Sequence, residues 1–162
     1  MPNHRPHAPP PGLSFRDATR DDLPAIVRLL AADSMAAGRE RPGEKLAPGY
    51  AAAFDRMAAQ PGNRQIVAEL DGRVVGCLQL TIIHGLSRAG MTRAQIEGVR
   101  VDAACRGRGI GEALFAHAIE AARAAGCGLV QLTTDKRRAD ARRFYERLGF
   151  TASHEGMKLA LE

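Results

Sequence analysis

Apolar residues change their spacing several times along this chain, and each change marks an element. "LSFRDAT" (13–19) alternates apolar and polar residues, the period of a half-buried strand. "RDDLPAIVRLLAAD" (20–33) opens with acidic residues and a proline, both helix-starting signals, and carries Ile26, Val27 and Leu30 as an apolar stripe. "GRERPGEKLAPG" (38–49) reads as loop, and "YAAAFDRMAAQ" (50–60) as a second helix closed by Pro61 and Gly62. The period then shortens. "RQIVAELDGRVVGCLQLTIIHG" (64–85) holds two β-rich runs around Asp71-Gly72, a strong hairpin signal.

"RAQIEGVRVDA" (93–103) alternates again. "IGEALFAHAIEAARAAG" (110–126) is a helix with Ile110, Leu114, Ala118 and Ala121 on one face and Gly126 as its stop. "GLVQLTT" (128–134) is a strand without charge, which suits a central position. "ADARRFYERLGF" (139–150) spaces Ala141, Phe144, Tyr145 and Leu148 as one helical face. "TASHEGMKLALE" reads as two short strands around Glu155-Gly156. The order predicts an α/β fold with a mixed, mostly antiparallel central sheet flanked by helices, and no internal repeat.

At 162 residues the chain fits one domain. Residues 1–12, "MPNHRPHAPPPG", read as a disordered proline-rich tail, and 13–162 as a single folded domain. The tail lacks the apolar core of a signal peptide, and no run approaches a membrane span, so no membrane partner is expected. His4 and His7 in the tail are a weak metal pair beside that reading. Cys77, Cys105 and Cys127 form neither a C-x-x-C pair nor a cysteine–histidine cluster, which argues against a disulfide framework or zinc and suits a reducing cytoplasm. A net charge of +5 favours anionic partners without choosing among them.

"CRGRGIGEALF" (105–115) narrows the choice. Glycine costs helix stability roughly 1 kcal/mol against alanine, yet Gly107, Gly109 and Gly111 crowd the mouth of a helix. A strand, a bare turn and a helix start present free N–H groups to an anion, and Arg106 and Arg108 add charge. The dinucleotide fingerprint fails because Glu112 stands where a third glycine is needed. "GLSRAGMT" (85–92) spaces like a nucleotide phosphate loop, but Met91 replaces its lysine.

"VRVDAACRGRGIGEAL" (99–114) resembles the acyl-CoA motif of the GNAT superfamily of N-acyltransferases, R/Q-x-x-G-x-G/A, met by Arg106, Gly109 and Gly111. "ADARRFYERLGF" resembles that family's late helix motif, A-x-x-F/L-Y-x-x-L-G-F, met by Ala141, Phe144, Tyr145, Leu148, Gly149 and Phe150. The resemblance implies an N-acetyltransferase that moves the acetyl group of acetyl-CoA directly to a primary amine, without a metal. It implies that the backbone of Val99, Arg100 and Val101 holds the pantetheine arm. The turn from Arg106 through Gly107, Arg108 and Gly109 to Ile110 and Gly111 would hold the pyrophosphate. Tyr145 falls at the position of the family's frequent general acid. The family often has asparagine where Asp135 stands; Asp135 is a cofactor candidate whose better-suited task is a helix N-cap.

Amine acylation needs a base, because a lysine-like amine has a pKa of about 10.4. Glu97, a carboxylate within a β-run just ahead of the glycine turn, is the candidate, with Glu69 or bound water as fallback. The resemblance also implies a bulged strand whose backbone N–H near Val99 meets the oxyanion, and Gly98 would permit such a bulge. His84, ending an apolar run, reads as a loop histidine, and Cys105 as a packing residue.

"KRRADARR" (136–143) could face the 3′-phosphate of coenzyme A, with Arg138 its candidate, or only solvent. It also carries the rival reading of a nucleic-acid-binding module, which 4% aromatic content and the lack of a stacking pattern disfavour. A non-catalytic acyl-CoA sensor is the other alternative. The acceptor, a small-molecule or peptide amine, stays unidentified, its pocket assigned to loops 33–50 and 84–92, and a homodimer stays open.

Overall fold

The computed structural model describes residues 8–33, 35 and 37–161; His4 and His7 lie outside them. Five strands form one sheet in sequence order: β1 (Ser14–Asp17), β2 (Asn63–Leu70), β3 (Arg73–Ile83), β4 (Arg93–Val101) and β5 (Leu129–Leu132). β1 to β4 are joined antiparallel and β4–β5 is parallel. The β2–β3 turn falls at Asp71-Gly72, both with positive φ (51° and 74°), as a tight hairpin requires.

Helix α1 (Leu23–Ala31) follows a 3₁₀ turn at Arg20–Asp22, α2 spans Pro48–Ala59, and α3 (Ser87–Gly90) is a single turn. In α3, Arg88 and Ala89 adopt left-handed backbone angles, so the 85–92 segment does not build a strand–loop–helix phosphate cradle. Helices α4 (Ile110–Ala124) and α5 (Ala139–Arg147) complete the fold.

One sheet face buries Ile66, Leu78, Leu80 and Ile96 beneath Ile110, Leu114, Phe115 and Ala118 of α4. Phe144, Tyr145, Leu148 and Phe150 of α5 and its exit join this core half-buried. On the opposite face α1 sets Ile26 and Leu29 against Val67 and Cys77. The α1 stripe is therefore Ile26, Val27 and Leu29, with Leu30 half-buried at its edge.

Two expectations are corrected. β5 is the last strand of the sheet, not a central one. Residues 151–161 form no strand, and Asp71-Gly72 supplies the hairpin that Glu155-Gly156 does not.

Candidate active site

β4 and β5 pair from Arg93↔Leu129 to Ile96↔Leu132, and there the pairing ends. β4 continues to Val101 bonded on its β3 side alone. The parallel pair thus splays open from Glu97 onward. The β3–β4 register also slips at this point, with Gln79 opposite Glu97 but Cys77 opposite Arg100, so β4 carries an extra residue. Gly98 takes it up at φ 59°, the left-handed angle glycine reaches without a Cβ penalty. The expected bulge is present. It sends Val99 and Val101 toward the main core and leaves Arg100 on the α1 face.

Beyond Val101, Asp102 accepts the Ala104 N–H and starts a 3₁₀ turn at Ala103–Cys105. The chain then passes Arg106, Gly107 and Arg108 to Gly109, which precedes α4. Gly107 and Gly109 both have φ 75°, and no atom would lie within 4 Å of a Cβ on Gly107. Gly111 has a different reason: its Cβ would meet Phe144 Cζ at 3.5 Å and Val101 Cγ2 at 3.8 Å, so its smallness seats α5 against the start of α4. The first turn of α4 has no side-chain cap, so its N–H groups face outward without intrahelical partners. Arg106 and Arg108 are exposed, and neither forms an ion pair among the described residues.

Tyr145, half-buried on α5, lies near enough to Arg100 and Arg138 to feel their charge. Its ring packs on Phe115 and Phe144 at 5.6 Å between centroids and on Phe150 at 6.2 Å. Burial pushes its hydroxyl pKa up, while Arg100 and Arg138 draw it partly back. The hydroxyl forms no hydrogen bond among the described residues, and it is not sealed from solvent.

The sequence reading missed Asp33. Its side chain, 5% exposed, lies just beyond α1 and pairs with Arg100 at 2.8 Å and with Arg138, while accepting the Met35 N–H at 3.0 Å. Burial pushes this carboxyl upward, but the Arg138 and Met35 hydrogen bonds and both cations outweigh it and hold the pKa below the usual range. Asp33 thereby ties the end of α1, the bulged half of β4 and the approach to α5 around the splay. Sequence separations of 67 and 105 residues hid this constellation.

The two candidate bases part company. Glu97 is exposed at the first position past the β4–β5 pairing. Glu69 lies on β2 and accepts hydrogen bonds from Arg16 at 2.8 and 3.0 Å, beside the β1 edge. The N-cap expected of Asp135 is corrected: Arg138 precedes α5, and the Asp135 side chain instead accepts the Arg137 N–H at 2.9 Å and pairs with its guanidinium, which holds its pKa far down. His84 meets Thr92 Oγ1 through Nδ1 at 3.0 Å on the surface.

On the α1 face, strand alternation assembles side-chain amides around Glu97. Gln131 donates to Gln95 at 2.7 Å and Gln79 to Asn63 at 2.9 Å, forming a half-buried floor across β2 to β5. The loop between α1 and α2 reaches Tyr50, whose hydroxyl donates to Glu40 at 2.8 Å and accepts the Arg41 N–H at 3.1 Å. A cleft of about 250 Å³ between α2 and the start of β2, lined by Phe54, Met57, Asn63 and Arg64, belongs to the other edge of the sheet.

A mixed sheet opened at a bulged strand, with a bare turn feeding a helix behind it, is the architecture of acyl-CoA-dependent N-acyltransferases. The chain belongs to the acetyltransferase (GNAT) family, whose sequence model matches residues 26–150. A glucosamine 6-phosphate N-acetyltransferase of Trypanosoma brucei brucei is 39% identical over 90 residues, 56% of this chain and 59% of that enzyme's length. An aminoalkylphosphonate N-acetyltransferase of Salmonella typhimurium (strain LT2) is 38% identical over 65% of this chain and 70% of its own. A crystal structure from Bacillus halodurans C-125, described as a transcriptional regulator, superposes with a TM-score of 0.89 at 47% identity, covering 92% of this chain and 99% of that one.

Among the described residues no helix is long and apolar enough to cross a membrane, and no three His, Cys, Asp or Glu side chains gather as a metal site.

Proposed function

We propose that this protein transfers the acetyl group of acetyl-CoA directly to the primary amine of a small acceptor. The observation that carries the reading is the splay of β4 from β5 ahead of the uncapped first turn of α4, together with a Tyr145 hydroxyl that forms no hydrogen bond among the described residues. The outward amides of Gly107–Gly111 with Arg106 and Arg108 are suited to a pyrophosphate. The free side of Val99–Val101 is suited to an amide-bearing arm laid along it, with Arg138 near its path.

In this reading Glu97 takes the proton from the acceptor ammonium, and the freed amine nitrogen attacks the thioester carbonyl. A backbone N–H at the Gly98–Val99 bulge holds the oxyanion of the tetrahedral intermediate. The carbon–sulfur bond then breaks and the departing thiolate takes its proton from the Tyr145 hydroxyl, whose pKa burial raises; the nitrogen's second proton passes to the tyrosinate as the amide forms, and Glu97 releases its own to solvent. Acceptor chemistry is suggested by the amide floor and by the names of the two curated relatives, both of which act on small amines carrying phosphate or phosphonate.

The Bacillus halodurans description raises nucleic-acid binding as an alternative. The 136–143 run supports it poorly: Lys136, Arg137, Arg138, Arg142 and Arg143 are each paired, with Glu155, Asp135, Asp33, Glu146 and Asp140 respectively. Titration with coenzyme A and with an oligonucleotide separates the two readings. Charge-assisted hydrogen bonds contribute about 1.5–3 kcal/mol, so Arg106→Glu is expected to weaken coenzyme A binding roughly ten- to hundredfold without lowering Tm. Unchanged coenzyme A affinity with steeply salt-dependent oligonucleotide binding would overturn the proposal. Thiol release from acetyl-CoA with a panel of amino sugars, aminoalkylphosphonates and polyamines tests turnover, and binding without turnover would make the protein a sensor.

A further inference from the structure

Arg93 opens β4 at the end away from the glycine turn, about 26 Å along the strand from Val101. Ala94 and Ile96 are buried in the main core, so alternation turns Arg93, Gln95 and Glu97 together to the α1 face. Arg93 is flanked across the sheet by Ile83 on β3 and Leu129 on β5, neither of which can neutralise it. Its guanidinium reaches the β3–β4 loop, where a Cβ on Gly85 would lie 3.7 Å from Nη1.

This arginine is half-buried and has no partner. Its Nε is shut from solvent and bonds to nothing, and the rest of its guanidinium forms no hydrogen bond or ion pair among the described residues. The other half-buried arginines are all engaged: Arg64 pairs with Asp17, while Arg100 and Arg138 share Asp33. Unpaired arginines elsewhere, such as Arg106 and Arg108, are exposed, and water satisfies them. A guanidinium stays charged in any protein, and drawing it from water without a counter-charge costs stability. Folding alone does not account for Arg93.

Between Arg93 and Glu97 lies the amide floor. Gln95 stands opposite Gln131 on one side and Thr81 on the other. Side-chain amides both donate and accept, and so do hydroxyl groups, each at a single oxygen. A row of hydroxyls therefore suits this surface.

We propose, on the reading that an acceptor amine is acetylated beside Glu97, that Arg93 anchors an anion in the acceptor pocket and that the acceptor is a polyhydroxylated amine carrying a phosphate. The guanidinium fork receives a phosphate through two parallel hydrogen bonds. Coenzyme A does not compete for it, because its phosphates fall to the turn at the other end of β4. Four residues of strand separate the Cα atoms of Arg93 and Glu97 by about 13 Å. A phosphorylated amino sugar spans that separation better than a two-carbon aminoalkylphosphonate, and lays its hydroxyls over Gln95 and Gln131.

Glucosamine 6-phosphate, glucosamine and 2-aminoethylphosphonate are the probes. Each is read by thiol release from acetyl-CoA and, with coenzyme A saturating, by the Tm shift it produces. The wild type is expected to favour glucosamine 6-phosphate in both. Arg93→Met is expected to lose roughly ten- to hundredfold of that preference in kcat/KM. Its coenzyme A affinity should hold, and its Tm without ligand should not fall, since an uncompensated charge is removed. Arg93→Lys keeps the charge without the fork and should lie between. A preference that survives Arg93→Met, or a wild type indifferent to phosphate, would overturn the proposal. So would a large fall in Tm without ligand, which would make Arg93 a structural residue. Coenzyme A binding without thiol release would fail the transfer reading instead, and the Tm shifts then decide the anchor.

Discussion

Tyr145 surrounds its ring with Phe115, Phe144 and Phe150, yet its hydroxyl bonds to nothing among the described residues. A tyrosine kept only for packing would be as well served by phenylalanine, so Tyr145→Phe separates chemistry from core. General acid–base groups typically contribute 10²–10⁴-fold, and kcat is expected to fall by roughly that order. Tm and coenzyme A affinity should barely move, because no internal hydrogen bond is lost. Near-normal turnover would return Tyr145 to the core alone. Glu97→Gln has a different expected signature: turnover falls most at mildly acidic pH, where the acceptor amine is hardest to deprotonate. A pH–rate profile overlaying the wild type would pass the base role to water, since Glu69 is engaged by Arg16. Tyr145 and Glu97 stood out as candidates because each stands in a short local pattern. Asp33 was not, since nothing near it in sequence distinguishes it from a solvated aspartate.

Elements with strong local periodicity came through the sequence clearly. α4 has five buried positions at helical spacing and ends with Gly126 at φ 76°, and the β2–β3 hairpin turns where Asp71-Gly72 says it should. The edges between elements were less legible, because they depend on what packs alongside. The β4–β5 splay is one such edge, held from the α1 side by Asp33 through Arg100 and Arg138. Asp33→Asn keeps the shape but removes the charge, leaving two guanidinium groups, 24% and 30% exposed, with weakened partners. A loss of about 1–3 kcal/mol follows from weakening hydrogen bonds to charged groups, read as a lower denaturation midpoint. If the cluster also holds the splay open, coenzyme A affinity falls with it. Lost stability at full affinity would confine Asp33 to tying α1 down.

Across the whole molecule, the mixed sheet and its helix layers follow from alternating periods along the chain, while ionisable groups set the pH range over which that arrangement holds. Asp22 accepts Arg16 at 2.7 and 2.9 Å as well as the Thr19 N–H at 2.7 Å, and Arg16 chiefly holds its pKa down. Asp33 is lowered too. A carboxyl with a depressed folded pKa stabilises fully above its unfolded value, about 3.9, and loses that contribution as pH falls through the folded one. On the alkaline side, burial pushes the Cys77 thiol up to about 12. A thiol with a raised folded pKa stabilises fully below its unfolded value, near 8.5, and loses that contribution as pH rises toward the folded one. Tm is therefore expected to be flat from about pH 5 to 8, falling below pH 4 and again above pH 9. Asp33→Asn should start lower on the plateau and descend less steeply in acid, since one of the depressed carboxyls is gone. Thermal melts of both proteins from pH 3 to 10 check this, and parallel acid limbs would show that Asp33 does not contribute to the acid transition.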